Sequence, residues 1–485
     1  MSTRPYSQGY RPRQLVDRPR RIAYEVIRQV HEQGAYANIV LPQALREAQH
    51  EAGFDGRDAA FTSELVYGTL RTRGYLDWVL EQHMNRALSA VDSAVVDLLR
   101  MGAYQLLYMR VPEHAAVATS VDLAREVSTD GPAKFCNAVL RSLTRQSPEE
   151  RAVVLENIID EDERLAIEYS HPQWMVKEFR RALEIHSGAA HELRDLLAAD
   201  NEAPIVTLVA RPGLIETEDL ADEAEDYLRT RVALGDLSPY AVFIENGDPA
   251  RLPSIRSAHA GAQDEGSQLA AIIAAQAPVI GSDQRWLDLC AGPGGKTALL
   301  AALGAKRGAQ VVANEVHPHR ARLVERATRA LDNVNVLCAD GRTLGGPATA
   351  WPFGFFDRVL VDAPCSGMGS MRRRPESRWR RQESDVAELV DLQSALLGRA
   401  VQLLRSGGVL TYVTCSPHVA ETVQQVHALV AEGKVELLDT AAIAHQYSSH
   451  PIAGISEGES RPQGIQLWVH RHDTDLMYIA ALRKL

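Results

Sequence analysis

The sequence predicts a multi-domain protein in which an all-α part precedes a small α+β part and a Rossmann-like α/β part. Its 485 residues exceed what a single hydrophobic core usually organises. Apolar residues recur at helical spacing from about residue 20 to residue 146, whereas short β-branched runs alternate with helical stretches after residue 267. An alternation of that kind is typical of a doubly wound, mostly parallel sheet.

The first 148 residues divide into a flexible basic arm, expected at 1–18, and a helical domain, expected at 19–148. Ile22, Val26 and Val30 share one helical face, and the pattern continues for about six helices. We interpret this domain as an RNA-binding one, and the alternative is a packing or assembly module. The arginines expected to be exposed for RNA contact are Arg71, Arg73, Arg141 and Arg145.

A small α+β linker domain of RRM-like type is expected at 149–262. Apolar runs at 204–210 and 240–245 predict strands, and an acidic stretch at 216–226 predicts a helix between them. No residue of this part belongs to a recognisable catalytic pattern.

The remaining part, 263–485, is expected to be the α/β domain. Its predicted strands are 285–289, 309–314, 334–339, 357–361 and 408–414. Two of them are followed by a cysteine beside a proline, in Asp362-Ala363-Pro364-Cys365 and in Thr414-Cys415-Ser416-Pro417. Because ligands bind where the carboxyl ends of parallel strands meet, we expect Cys365 and Cys415 to face one crevice.

Composition narrows the class of protein. With 45% hydrophobic and 24% charged residues, the chain resembles ordinary soluble proteins. The longest apolar stretch, 269–280, is too short to span a membrane, and the N-terminus has no secretory apolar segment. Five cysteines without metal-ligand spacing predict reduced thiols, no metal and a cytoplasmic location. A net charge of −11 means that any nucleic-acid surface must be local.

A glycine-rich loop after the first strand of the α/β part predicts a cofactor site. Its residues are Cys290, Ala291, Gly292, Pro293, Gly294, Gly295 and Lys296, and a helix follows. Glycine lets the backbone turn tightly and approach a ligand closely. A phosphate-binding P-loop would need glycine where Cys290 stands, so that interpretation fails. A dinucleotide site and an S-adenosylmethionine site remain, each with Glu315 as the acid at the next strand end.

Acidic residues at successive strand ends favour S-adenosylmethionine over a dinucleotide. They are Asp288, Glu315, Asp340 and Asp362. Four carboxylates would repel a pyrophosphate, whereas the amino and sulfonium groups of S-adenosylmethionine are positive. One such acid is usually a helix cap, but four beside a glycine loop predict the cofactor.

Two cysteines and a carboxylate suit methyl transfer to carbon 5 of a pyrimidine. That carbon is a weak nucleophile until a thiolate adds to carbon 6. A base must then remove the carbon-5 proton so that the thiol can leave. Because a free thiol has a pKa of about 8.5, the attacking cysteine needs a polar, partly positive setting.

These motifs resemble the Sun-type RNA cytosine-5 methyltransferases over nearly the whole chain. Residues 263–269 resemble the motif that precedes the family's cofactor domain, and 290–296 resemble its cofactor loop, with Gly292 where many members carry alanine. The resemblance implies that Cys415 is the nucleophile and that Cys365 assists release.

The same resemblance implies the remaining roles around the site. Asp362 is expected to contact both the cytosine ring and the cofactor, and Glu315, Arg320 and Asp340 are expected to contact the cofactor. The sequence departs from the family at 476–478, where Leu-Met-Tyr replaces the favoured Gly-Phe-Phe.

The N-terminal helices resemble the NusB-type RNA-binding domain, at 57–58, 64–68, 111–117 and 137–141. The combined layout is similar to the bacterial small-subunit ribosomal RNA methyltransferase B type. It implies a monomer that forms 5-methylcytosine in 16S ribosomal RNA, either naked or in an assembling subunit. The alternatives are the same reaction on tRNA or 23S ribosomal RNA, a DNA cytosine methyltransferase, and a catalytically idle assembly factor.

A dense arginine cluster follows Cys365 and is expected to bind RNA phosphates. The candidates are Arg372, Arg373, Arg374 and Arg378. Guanidinium groups pair well with phosphate oxygens, and the position beside the predicted site favours a substrate role.

Overall fold

The computed structural model describes residues 17–50, 53–455 and 464–485, and its contacts divide the chain into two units. The first unit comprises the chain up to Gln173 together with Arg374–Glu376, and the second comprises Trp174–Arg373 and Ser377–Leu485. Almost all of the basic arm predicted at 1–18 lies outside the described residues. The four-part division of the chain stays a prediction.

The first unit is helical, as predicted. The apolar side chains of Ile22, Val26 and Val30 are buried in its core, which explains the helical spacing in the sequence. Asp17 caps the first helix by accepting a hydrogen bond from the Arg20 amide. The helices are α1 (Arg18–Glu32), α2 (Ala37–Gln49), α3 (Gly56–Arg71), α4 (Arg73–Glu81), α5 (Ser93–Leu107), α6 (Glu113–Val127), α7 (Asp130–Leu143), α8 (Pro148–Glu156) and α9 (Glu161–Glu168).

Two of the four arginines expected to be exposed in this unit are not. Arg71 is only 9% exposed. The Arg73 side chain is partly covered (29% exposed), its Nε lies 3.7 Å from Asp77 Oδ2, and burial lowers its pKa to about 10. Arg141 and Arg145 are exposed, so they remain candidates for RNA contact.

A four-stranded antiparallel sheet follows the helices α10 (Gln173–Ser187) and α11 (Leu193–Ala199). Its elements are β1 (Val206–Ala210), α12 (Thr217–Leu228), β2 (Val232–Leu234), β3 (Ala241–Ile244), α13 (Pro253–Ser257) and β4 (Ala260–Ala262). The strand order β2-β3-β1-β4 in a βαββαβ chain is that of an RRM-like fold, which confirms the predicted α+β class.

The larger sheet belongs to the predicted α/β part. Its elements are α14 (Glu265–Gln276), β5 (Arg285–Asp288), α15 (Gly295–Ala305), β6 (Gln310–Asn314), α16 (Pro318–Thr328), β7 (Val334–Leu337), β8 (Phe356–Asp362), α17 (Asp385–Leu403), β9 (Leu404–Thr414), α18 (Val423–Ala431), β10 (Val435–Leu437), α19 (Thr440–Tyr447), β11 (Ile465–Gln466), α20 (Val469–His472) and β12 (Tyr478–Lys484). The order is β10-β12-β9-β8-β5-β6-β7, and β11 pairs with β12.

The directions of these strands confirm the mostly parallel sheet. β5 pairs in parallel with β6 and β8, and the parallel pairing continues to β7 on one side and to β9 on the other. Only the edge formed by β10, β11 and β12 is antiparallel among the described residues. The chain therefore reverses its direction of travel across the sheet at β5, and such a switch point is where open α/β sheets bind ligands.

The core of the sheet is apolar and fixes the strands that carry the candidate site. Trp286 on β5, Leu269 on α14 and Leu299 on α15 are fully buried and belong to one cluster. In the part of the chain that the structure describes, no helix has both the length and the apolar character needed to cross a membrane.

Candidate active site

The two cysteines predicted to share a crevice lie side by side. β8 and β9 are neighbours, so the residues that follow them emerge from the same edge of the sheet. The Sγ atoms of Cys365 and Cys415 are 3.3 Å apart, within hydrogen-bond distance for sulfur, and both residues are half-buried.

The surroundings of the two thiols make them chemically different. The hydrogen bond from Cys365 lowers the pKa of Cys415, and the nearby Lys296 ammonium lowers it further. The same hydrogen bond, together with burial, raises the pKa of Cys365 well above its usual range. Cys415 is therefore the more acidic thiol of the pair and Cys365 the less acidic one.

Lys296 supplies the positive charge beside these thiols. It lies in the first turn of α15, and its Nζ is 2.9 Å from Asp362 Oδ2 at the end of β8. Burial opposes the ammonium charge, but the Asp362 carboxylate overcomes that effect and raises the pKa of Lys296. The site thus contains two thiols of different acidity, an ammonium and a carboxylate within one group of contacts.

The glycine loop runs close against α16. Gly294 has a φ of +108°, and a Cβ there would lie 2.9 Å from the Val324 Cα and the Ala327 Cβ. Only glycine fits this backbone position without displacing α16. Within the same loop, the Ala291 amide donates to the Asn314 carbonyl at 2.8 Å. Burial raises the pKa of the Cys290 thiol well above its usual value, so that cysteine is not activated.

Glu315, predicted to contact the cofactor, holds the glycine loop in this structure. Its Oε2 accepts a hydrogen bond from the Gly292 amide at 3.1 Å, and its Oε1 accepts one from the His317 amide at 2.9 Å. Arg320 Nη1 lies 3.5 Å from Glu315 Oε2, and Arg320 Nη2 donates to the Gly292 carbonyl at 2.5 Å. The structure therefore brings Glu315, Arg320 and the glycine loop into contact with one another, and their contact with the cofactor stays a prediction.

The other two strand-end acids differ in their surroundings. Asp288 is buried, accepts a hydrogen bond from Thr297 Oγ1 at 2.7 Å, and has a pKa raised by burial to about 7. Asp340 is accessible and pairs with Arg342, whose Nη2 lies 2.6 Å from Asp340 Oδ2. Asp288 therefore anchors the loop from inside the fold, whereas the Asp340 side chain is about one-third exposed (35%).

The predicted RNA role of the arginine cluster needs correction. Arg372 is 2% exposed, and its Nη1 lies 2.6 Å from Asp473 Oδ1. Arg378 is fully buried, and its Nη2 lies 2.8 Å from Asp200 Oδ2. A buried guanidinium that already pairs with a carboxylate is not placed to bind a phosphate, so Arg372 and Arg378 stabilise the fold.

The two remaining arginines of the cluster are more accessible. Arg373 pairs with Asp264 at 2.6 Å and with Asp475 at 2.9 Å, while about a quarter (26%) of its side chain stays exposed. Arg374 is exposed, and its guanidinium lies 5.1 Å from the centre of the Tyr36 ring. An RNA role for Arg373 and Arg374 stays a prediction.

Several residues that shape the site had no recognisable sequence signal. Gly369 donates to the Cys415 carbonyl at 2.9 Å and accepts from the Leu476 amide at 2.9 Å, and a Cβ would collide with Leu476. Burial raises the pKa of Asp475 to about 6. The Asp475 carboxylate lies close enough to Cys415 to act on the pKa of that thiol, which it raises. Glu421 is buried beneath the two cysteines and contacts the residue after each of them.

The described residues offer no metal site of the ordinary kind. Within 17–50, 53–455 and 464–485, no three His, Cys, Asp or Glu side chains group as metal ligands would.

The α/β part has a mostly parallel sheet, a glycine loop at the switch point of that sheet and paired thiols at the ends of two further strands. These features define a methyltransferase domain, here in a chain with a NusB-like helical part. The family model "16S rRNA methyltransferase RsmB/F" matches residues 277–483, and the NusB family model matches 17–145. The chain belongs to the RsmB/F methyltransferase family, as its similarity to full-length relatives shows.

Two relatives and one solved structure illustrate this similarity. Rv1407 of Mycobacterium tuberculosis is 47% identical over 99% of both chains. Ribosomal RNA small subunit methyltransferase B of Cronobacter sakazakii is 32% identical over 91% of this chain and 96% of its own. The crystal structure of PH0851 has a TM-score of 0.76 and 20% identity, covering 96% of this chain and 97% of its own, and shows the shared fold.

Proposed function

We propose that this protein transfers a methyl group from S-adenosylmethionine to carbon 5 of a cytosine in 16S ribosomal RNA. The observation that carries the proposal is the 3.3 Å distance between the Cys365 and Cys415 sulfurs, which places a more acidic and a less acidic thiol in a single site. Family membership and the names of relatives such as the Cronobacter sakazakii enzyme support the ribosomal RNA substrate.

The residues around the glycine loop fit S-adenosylmethionine. The loop approaches α16 so closely that its backbone must be glycine at position 294, and it leads directly to Lys296 and Asp362. Glu315 would accept from the ribose hydroxyls, Asp340 would lie toward the adenine, and Asp362 would meet the positive methionine end. When bound, the cofactor supplies an electrophilic methyl group.

The first chemical step belongs to Cys415. Its thiolate adds to carbon 6 of the cytosine and makes carbon 5 nucleophilic. Asp362 contacts the cytosine ring and keeps it beside the thiolate, while Lys296 keeps the pKa of Cys415 low until the bond forms. The target cytosine must leave its base stack to reach these groups.

The release step belongs to Cys365. Once Cys415 is bonded to carbon 6, it no longer contributes to the raised pKa of Cys365, so Cys365 releases its proton to solvent more easily. The Cys365 thiolate then takes the carbon-5 proton, and the carbon–sulfur bond breaks. Cys365 is again a thiol and donates to the departing Cys415 thiolate, which restores the starting state.

The two cysteine variants test this assignment. With labelled RNA and S-adenosylmethionine, we expect Cys365→Ala to accumulate a covalent protein–RNA band on a denaturing gel. Cys415→Ala and the double variant should give neither the band nor methylated RNA. A band from Cys415→Ala would reverse the two roles, and full methylation by both single variants would exclude the covalent mechanism.

The partners and location are part of the same proposal. We propose that a monomer acts in the cytoplasm on ribosomal RNA or an assembling small subunit, with the helical unit contributing RNA contacts through Arg141 and Arg145. The double variant Arg141→Ala and Arg145→Ala should then bind RNA with a smaller dependence on salt concentration, because fewer counterions are released. An unaltered salt dependence would remove this unit's exposed arginines from the proposed interface.

A further inference from the structure

A buried carboxylate joins the segments that carry the two cysteines. Glu421 lies in the short turn between β9 and α18 and is 0% exposed. Its Oε2 accepts hydrogen bonds from Ser366 Oγ at 2.6 Å and from Ser416 Oγ at 2.7 Å. Its Oε1 accepts from the Ser366 amide at 2.7 Å and from Gln393 Nε2 at 3.1 Å.

The donors to Glu421 bracket the cysteines in the sequence. Ser366 follows Cys365 directly, and Ser416 follows Cys415 directly. The same Gln393 amide that donates to Glu421 also donates to the Pro364 carbonyl at 2.9 Å, just before Cys365. The carboxylate therefore fixes the Cys365 segment on both sides of the thiol.

Burial of the Glu421 carboxylate costs desolvation free energy, which its hydrogen bonds must offset. A carboxylate removed from water must be compensated by hydrogen bonds, and Glu421 receives four. The Tyr412 hydroxyl donates to the Glu421 carbonyl at 2.6 Å, which fixes the turn itself to β9. The two serine hydroxyls also lie 3.0 Å from each other.

We propose that Glu421 is a positioning residue that holds the Cys365 thiol against Cys415 for the release step. It acts through the cysteine segments and does not itself meet the RNA. The inference rests on the proposed function, because it assigns Glu421 to one step of that reaction.

The charge of Glu421 acts on Cys365 in the resting site, before the release step. After the hydrogen bond to Cys415 and burial, the Glu421 carboxylate is a further cause of the raised pKa of Cys365. Lys296, Asp362 and Asp475 are the charged groups that act on Cys415, and Asp288 acts on Lys296. The titratable groups beside Cys365 are Glu421 and Tyr412. Glu421 thus disfavours ionisation of Cys365 in the resting site, while its hydrogen bonds hold the Cys365 segment in place.

Kinetics with RNA provide the first test. We expect Glu421→Gln and Ser366→Ala to retain the methyl-transfer burst of a single turnover but to lose about tenfold or more in steady-state turnover. A displacement of about 1 Å is enough for a loss of that size. The covalent protein–RNA band should accumulate in both variants. A parallel fall of burst and turnover in both would mean a merely structural role and would overturn the proposal.

A matched control lies on α10 and contacts the same turn. Glu178 is also buried, and its Oε1 accepts a hydrogen bond from the Val419 amide at 2.8 Å. Glu178→Gln should leave both burst and turnover unchanged. If Glu421→Gln does not fold, Ser366→Ala still decides the question, since it removes one hydroxyl and keeps the carboxylate.

A second test needs no RNA. Alkylation of the free enzyme by iodoacetamide, followed by mass spectrometry over a pH series, reports the pKa of Cys365. Glu421→Gln should alkylate Cys365 at lower pH than the wild type, whereas Ser366→Ala and Glu178→Gln should not. Equal profiles for Glu421→Gln and Glu178→Gln would overturn the proposal. If Cys415→Ala still methylated RNA, the proposed function would fail, and this profile would still report the influence of Glu421.

Discussion

The ion pair between Arg378 and Asp200 distinguishes an arginine that stabilises the fold from one that binds RNA. The two residues are 0% and 1% exposed, and the guanidinium Nη2 lies 2.8 Å from the carboxylate. Arg378 also donates to Asn201 Oδ1 at 2.7 Å and to the Asp200 carbonyl at 2.7 Å. Arg378→Met removes the charge and keeps much of the side-chain volume.

Removing one partner of such a pair costs about 3–5 kcal/mol, because the other charge stays buried and loses the opposite charge that compensated it. With a urea m value of about 3 kcal/mol/M, the unfolding midpoint of the affected unit should fall by about 1 to 1.7 M. The double variant Arg378→Met with Asp200→Leu should regain most of that loss, since apolar replacement of a whole buried pair is often neutral.

Urea unfolding followed by circular dichroism measures the effect, with Arg381→Met as the control. Arg381 is exposed and lies three residues away, so its midpoint should match the wild type within error. The reasoning would be refuted if Arg378→Met unfolded like Arg381→Met and instead lowered the salt dependence of RNA binding. That result would return Arg378 to the RNA interface.

Three further predictions concern the cofactor loop and its neighbours. Glu315→Ala should weaken S-adenosylmethionine binding by about 1.5–3 kcal/mol, the value of a hydrogen bond to a charged group, and unchanged affinity by calorimetry would limit Glu315 to supporting the loop. Lys296→Met should raise the pKa of Cys415, because it removes a positive charge, so alkylation of that thiol should move to higher pH; an unmoved profile would contradict the role of Lys296. The folded pKa of Asp288 is about 7 against an ordinary 3.8, so the native state binds more protons than the unfolded state between these values. Wild-type stability should therefore fall as pH rises through that window, and urea midpoints at pH 5 and 8 should show a smaller fall for Asp288→Asn.

Much of the fold could be predicted because its elements carry local signals. The parallel strands are buried β-branched runs, and the predicted 357–361 and 408–414 lie within Phe356–Asp362 and Leu404–Thr414. β2 and β4 are three residues long, which is too short for any periodicity to appear. The placement of β12 between β9 and β10 depends on pairing across the chain and has no local signature.

In the candidate site too, features set by neighbouring residues were predictable, whereas contacts with residues distant in sequence were not. The two cysteines were predicted to meet because each stands beside a proline at a strand end, and neighbouring parallel strands end together. The partners of Arg372 and Arg378 lie 101 and 178 residues away in the chain. Local sequence shows the charge of an arginine and not the carboxylate that neutralises it, so the cluster resembled an RNA surface.

The pairing of β9 with the C-terminal strand β12 can form only late in the synthesis of the chain. Tyr478 pairs with Thr414, the residue before Cys415, yet 64 residues (478 − 414) separate them in the chain. At a translation rate of about 5–20 residues per second, the ribosome needs roughly 3 to 13 s to make that segment. Throughout this interval β9 has an open edge, which is a template for wrong pairing with other nascent chains. β9, which ends directly before Cys415, thus has one unpaired edge during synthesis, and binding of a chaperone in this interval would favour folding over aggregation.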